Sequence, residues 1–253
     1  MADSKWRAVC RPLYRRLRKF DPRGWLPAAQ QAKRMEGAWD ERARTNARYF
    51  VATAKSDWTD EEFFTSGEQT VANDILADMA NVCQGKQPGE MRVLEIGCGA
   101  GRVTKALARI FGEVHAVDVS GEMVELARAA LTSIPHAHVY HNNGFDLSVV
   151  PELPFDFAFS TLVFQHIPSR RIIQNYVREV NRLLVPGALF KLQVRGNTAD
   201  ESSAADCWVG AAFSDREAVE MAEACGFEPR YRTGAGTQDF WLWFFKKSSA
   251  KAC

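Results

Sequence analysis

Residues 93–104 read Val-Leu-Glu-Ile-Gly-Cys-Gly-Ala-Gly-Arg-Val-Thr, and Asp118 follows within Val-Asp-Val-Ser at 117–120. The apolar run Val93-Leu94-Glu95-Ile96 has the length and β-branched content of a buried parallel strand. It opens into Gly97, Gly99 and Gly101, and a helical pattern begins near Val103. Glycines at alternate positions let backbone approach a ligand where a Cβ would clash. The unpaired N–H groups of the following helix point at the same place. Asp118 ends the next strand, where it can accept hydrogen bonds from a ribose diol. These residue types at this spacing imply a nucleoside-containing cofactor.

The dinucleotide fingerprint needs Gly-x-Gly-x-x-Gly, and Arg102 stands where its third glycine belongs. That disfavours a nicotinamide-dependent reductase. A P-loop needs Gly-Lys-Ser/Thr, which is absent. What remains, Glu95-x-Gly97-x-Gly99-x-Gly101, resembles the first motif of class I S-adenosylmethionine-dependent methyltransferases. A carboxylate at a strand end suits a sulfonium cofactor with a free amino group, either directly or through the glycine loop. Phe155–Ser160 running into Thr161–Pro168 resembles the family's fourth motif, and Asn181–Ala188 the helix end and Pro-Gly turn beyond it. The resemblance covers roughly residues 70–246.

The resemblance implies that S-adenosylmethionine is held by Glu95 and the loop residues Gly97, Cys98, Gly99 and Gly101. It adds Asp118 with Val119 and Met123 behind the second strand, and Thr161 behind the fourth. After the third strand the family usually carries an acidic residue that accepts from the adenine amino group. Here Asn143-Gly144 stands instead. An amide oxygen can accept the same bond, and the pair also reads as a plain tight turn. His166, in the loop after the fourth strand, is the candidate catalytic residue: a base titrating near neutrality could take a proton from the acceptor, or the ring could only shape the pocket. Gln165, Tyr49, Trp58 and Trp208 are candidates for the acceptor site, each equally readable as packing. No metal is expected, because the six cysteines are scattered without a Cys-x-x-Cys. They point to a reducing, cytoplasmic setting, and Cys98 reads as a small residue tolerated in the loop.

These residues need a scaffold. From Met91 onward, strands near 91–96, 113–118, 137–141, 155–161 and 187–195 alternate with helices near 102–110, 121–132 and 170–184. A last helix over Asp215–Cys225 precedes strands near 227–233 and 238–246. Such alternation predicts an α/β fold, a doubly wound, seven-stranded, mostly parallel Rossmann-like sheet. Phe240 to Phe245 is apolar on both faces, so the last strand should be central, and the resemblance makes it antiparallel. Residues 1–66 are expected to form an N-terminal helical extension and lid, and 67–253 the cofactor-binding domain. Within them, 28–50 reads as helix, Ser56–Ser66 as an aromatic turn, and Gly67–Cys83 as a second helix.

The net charge of +1 conceals ten Lys/Arg against two Asp in residues 1–35. Trp6 to Phe20 places apolar residues at helical spacing among arginines. Such a segment suits an anionic membrane surface or a nucleic acid, or docks on its own domain or a sister subunit. No apolar stretch approaches the roughly 18 residues of a membrane span. The leading expectation is transfer of a methyl group to an oxygen or nitrogen of a small molecule. The alternatives are an RNA methyltransferase that uses the basic segment, and a non-catalytic module that keeps the fold to bind a protein. RNA is disfavoured by the lack of an Asn-Pro-Pro-Tyr-type loop after the fourth strand.

Overall fold

A computed structural model describes residues 27–197 and 207–248. The expected amphipathic segment Trp6–Phe20 lies outside them. Seven strands form one sheet: β1 (Arg92–Ile96), β2 (Glu113–Asp118), β3 (Ala137–His141), β4 (Phe155–Ser160), β5 (Leu184–Val194), β6 (Phe227–Thr233) and β7 (Phe240–Lys246). Their spatial order is β3-β2-β1-β4-β5-β7-β6. Pairings from β3 through to β5 are parallel, and β7 runs antiparallel between β5 and β6. The α/β expectation and the central antiparallel last strand are both found. Phe240, Leu242 and Phe244 are buried with the core on one face, and Phe245 with the core on the other, so no edge position would suit this strand.

The helices are α1 (Ala28–Val51), α2 (Asp60–Asp74), α3 (Met79–Cys83), α4 (Arg102–Leu107), α5 (Gly121–Ala130), α6 (Arg170–Leu183) and α7 (Asp215–Ala224). The larger core lies where Ile172, Tyr176, Val177 and Val180 of α6 meet Leu94, Ala158, Phe190 and Phe244 of the sheet. On the other face Val71, Ile75, Val103 and Leu107 meet Val93, Phe157, Phe159 and Leu189.

Two local expectations are corrected. The segment read as an aromatic turn is mostly the helix α2, because Thr59 and Glu62 form a capping box: the Thr59 hydroxyl accepts from the Glu62 amide and the Glu62 carboxylate from the Thr59 amide. That helix ends near Ile75, before a 3₁₀ turn at Leu76–Asp78, so the second helix does not run unbroken from Gly67 to Cys83. The boundary expected at residue 66 falls inside α2. The second correction concerns Pro186-Gly187, which lies inside β5. The pairing of β4 with β5 shifts register between Phe155 and Phe157, and Gly187 takes a φ of 84°. An irregular step of this kind absorbs the proline's missing donor without ending the strand.

Candidate functional site

The strand order reverses between β1 and β4, and ligands in open α/β sheets bind beyond the carboxyl ends at such a switch. A cavity opens there. Glu95, Ile96, Gly97, Cys98 and Gly99 line one wall, Val117, Asp118, Val119 and Met123 a second, and Thr161, Leu162 and Val163 a third. The loop is pinned from both sides. The amides of Gly97 and Cys98 donate to the Val117 carbonyl, and the Ser160 hydroxyl donates to the Ile96 carbonyl. Gly97 has a φ of 78°, and a Cβ there would lie 2.2 Å from a methyl of Val163. Only glycine fits that position.

Asp118 does two things at once. Its Oδ2 accepts from the Gly99 amide at 2.8 Å, and its Oδ1 from the Ser120 amide at 2.9 Å. It therefore holds the glycine loop to the end of β2. Burial pushes its pKa up against the pull of these amides. Glu95 is 3% exposed, and burial raises its pKa to about 7, opposed by the Thr104 hydroxyl bond (2.6 Å) and the charge of Arg102. Arg102 is itself buried. Its Nη1 donates to the Ser66 carbonyl and the Thr70 hydroxyl, and its Nε is buried without a partner. A buried carboxylate and a buried guanidinium thus flank one end of the cavity. The Cys98 thiol is pushed well above its ordinary range by burial, which keeps it from acting as a nucleophile.

Helix α1 supplies Met35, Trp39, Phe50 and Val51 to the cavity. It bends at Asn46, whose φ/ψ leave the helical region. The Asn46 side-chain oxygen accepts from the Tyr49 amide, and its nitrogen donates to the Ser56 carbonyl. Asn46 therefore caps a short second run of helix, and a side chain can bend a helix in this way. The bend lays Val51 against Gly99, where an added Cβ would meet the Val51 methyl at 2.6 Å.

Of the predicted site residues, Glu95, Gly97, Cys98, Gly99, Asp118, Val119, Met123 and Thr161 meet at this cavity. Gly101 caps α4 and lets Ala127 approach, and Gly144 makes room for Val119, Ala32 and Met35; neither lines the cavity. Asn143 is also away from it, its oxygen taken by the Phe145 and Asp146 amides in a local turn. The neighbouring Asn142 faces the cavity instead, its amide nitrogen donating to the Tyr176 hydroxyl at 2.7 Å. Tyr49 packs edge-on to Phe50, and Trp58 packs on Phe63 while its indole N–H donates to the Ala52 carbonyl. Gln165 accepts from Gln238. His166 donates from Nδ1 to the Trp208 carbonyl at 2.5 Å, with Nε2 facing the Gln165 amide nitrogen at 3.3 Å. Its ring packs at a tilt against that of Trp208, and the two contact Trp39 and Phe50. Reading the sequence missed Met35, Trp39, Phe50, Val51, Arg102 and Asn142. The stripe Met35, Trp39, Phe50 was visible as helical periodicity, but nothing local says which sheet end it covers.

Fold and cavity together define a Rossmann-like domain with a cavity at the switch between β1 and β4. Residues 93–187 match a family described as Methyltransferase domain. The ubiquinone biosynthesis O-methyltransferase of Xanthomonas oryzae pv. oryzae is 31% identical over 108 residues, 42% of this chain and 44% of that protein. The chain thus matches less than half the length of such curated relatives. Magnesium protoporphyrin IX methyltransferase from Synechocystis PCC 6803 with bound SAH has a TM-score of 0.61 at 14% identity, covering 84% of this chain and 98% of that one. Haemonchus contortus phosphoethanolamine N-methyltransferase 1, in complex with phosphoethanolamine and S-adenosylhomocysteine, gives 0.63 at 16%, covering 90% and 52%. At these identities the solved structures share the fold. Residues 93–187 thus carry the likeness to a methyltransferase domain, and the sheet has the fold of the class I S-adenosylmethionine-dependent methyltransferases.

Proposed function

We propose that the chain transfers a methyl group from S-adenosylmethionine to an oxygen or nitrogen of a small-molecule acceptor. The residues present fit that cofactor. Glu95 offers a buried carboxylate to an ammonium group, and Arg102, with its unpartnered Nε, supplies the positive charge that a neighbouring carboxylate requires. Asp118 stands where a ribose diol is held. Asn142, rather than Asn143, has its side chain at the cavity behind the third strand.

When bound, S-adenosylmethionine supplies a methyl carbon activated by its sulfonium. The chain's own residues have to align the acceptor and exclude water. The observation that carries a small acceptor is the roof: Met35, Trp39, Phe50 and Val51 wall the cavity, with His166 and Trp208 behind them. An acceptor must fit among these aromatic side chains, which suits a small apolar molecule with one reactive polar atom. The name of the ubiquinone biosynthesis relative supports an oxygen acceptor. In this reading helix α1 and the segment leading to Thr59 serve as the lid. His166 positions Trp208 rather than touching the acceptor, because its Nδ1 is committed to the Trp208 carbonyl.

Calorimetry with S-adenosylhomocysteine, followed by transfer of labelled methyl to phenols, amines and RNA, tests the proposal. Saturable binding with methylation of a small acceptor is the expected result. Salt-dependent RNA methylation that disappears on deleting residues 1–26 would replace it. Absence of S-adenosylhomocysteine binding would leave a non-catalytic module. His166→Asn should lower acceptor affinity while the pH profile of kcat/KM keeps its shape. Loss of an ionisation near neutrality would make His166 the general base instead.

A further inference from the structure

At the opposite end of the sheet from the cavity, Glu113, His115 and His138 converge. Glu113 and His115 are two apart on β2, so both side chains stand on one face of the sheet. His138 on β3 is the register partner of His115, which places the two imidazoles side by side with ring centroids 4.8 Å apart. Oε1 of Glu113 lies 2.9 Å from Nε2 of His115 and 3.5 Å from Nε2 of His138. One ligand atom from each residue lies within 4.8 Å of the others, and no other such trio occurs among the described residues.

From this convergence we infer a binding site for one late first-row divalent metal ion, zinc foremost, held by Glu113, His115 and His138. Bonds of about 2.0–2.2 Å to a tetrahedral zinc would put neighbouring ligand atoms about 3.3 Å apart. The two distances to Oε1 bracket that value. Two imidazoles and one carboxylate suit zinc, nickel or cobalt rather than magnesium or calcium. The surrounding contacts orient the ligands. The Tyr140 hydroxyl lies 3.0 Å from Nδ1 of His115, which turns Nε2 toward the trio, and Arg92 donates to the other Glu113 oxygen at 2.6 Å. The His138 side chain is 40% exposed, which gives an ion a way in and leaves a coordination position for water. Because β3 is the outermost strand, the ion would tie that edge to β2.

Titration of the full-length protein with Zn²⁺ or Co²⁺, with no methyl donor present, tests this. One equivalent should bind, raise the unfolding temperature and give a visible cobalt spectrum of nitrogen and oxygen ligation. His138→Ala and Glu113→Gln should each weaken binding at least tenfold and leave S-adenosylhomocysteine affinity unchanged. The site would be overturned by the absence of saturable binding, or by binding that both variants leave intact. It would equally be overturned by a thiolate-to-cobalt charge-transfer band, which would move the ion to the cysteines. Because the readout is metal binding, failure here leaves the methyl-transfer reading standing, and the reverse also holds.

Discussion

Asp118 was legible in the chain because a carboxylate at the end of the second strand has one obvious place to point. What could not be read was that its two oxygens also take the amides of Gly99 and Ser120. Asp118→Ala should therefore reduce S-adenosylhomocysteine affinity ten- to a hundredfold, since hydrogen bonds to a charged group are worth about 1.5–3 kcal/mol. Calorimetry measures this, and unchanged affinity would sink the proposed site. Glu95 makes a separate prediction. Burial raises its pKa to about 7 in the folded chain. The folded state thus holds its proton more tightly than the unfolded state. The stability this contributes is complete below the ordinary carboxylate pKa and is lost as pH rises through 7. A ligand ammonium favours the charged form, so affinity should climb by up to about tenfold per pH unit below pH 7 and level off above it. Glu95→Gln should flatten that profile, as calorimetry across pH would show. Asn142 and Asn143 illustrate the limit of the sequence: one residue of chain decides which amide faces the cavity, and strand ends cannot be placed that finely from pattern.

Elements mattered most where the pattern misled. Thr59-Asp-Glu-Glu62 is a helix start, yet the aromatic residues after it read as a turn, because Phe63 and Phe64 have weak helix propensity taken singly. The structure resolves the conflict by burying Phe63 against Trp58 and setting Gly67 against the backbone of Arg102. An added Cβ at Gly67 would sit 2.1 Å from the Arg102 carbonyl oxygen. Gly67→Ala should therefore lower stability by about 1–3 kcal/mol through overpacking, despite alanine's higher helix propensity. A denaturation midpoint that rose would show that α2 can shift freely. The bend in α1 makes a complementary prediction. Asn46→Ala removes the cap that turns Phe50 and Val51 over the glycine loop. It should cost about 0.5–2 kcal/mol of local stability and weaken S-adenosylhomocysteine binding by several-fold, measured by hydrogen exchange in α1 and by calorimetry.

Across the whole molecule, the antiparallel insertion of β7 is held by a polar staple. Lys191 on β5 is almost fully buried, and its ammonium reaches the Asp74 carbonyl and Asp78. Trp243 on β7 donates its indole N–H to the same Asp78 oxygen. Burial pushes the Asp78 pKa up, but the bonds from Trp243, Asn81 and Lys191 outweigh it and leave the pKa lowered. This carboxylate joins the turn after α2 to two neighbouring strands. Lys191→Met should therefore destabilise the fold by about 1–3 kcal/mol, since the largely buried Asp78 carboxylate keeps only its bonds from Trp243 and Asn81. Thermal unfolding measures this, and a loss below about 0.5 kcal/mol would show that water reaches Asp78.

Six of the seven strands and the loop that ends in Asp118 could be read closely from the chain, because period, length and glycine spacing are local properties of neighbouring residues. The cofactor class followed, since the chemistry of a carboxylate and three alternate glycines needs no long-range information. The roof of Trp39 and Phe50, the choice of Asn142, the role of Arg102 and the meeting of Glu113 with His138 depend on segments far apart in sequence. Their positions follow from packing and register, in which a one-residue slip turns every side chain to the other face. No local pattern encodes that outcome, so the roof of the cavity emerged only from the folded chain.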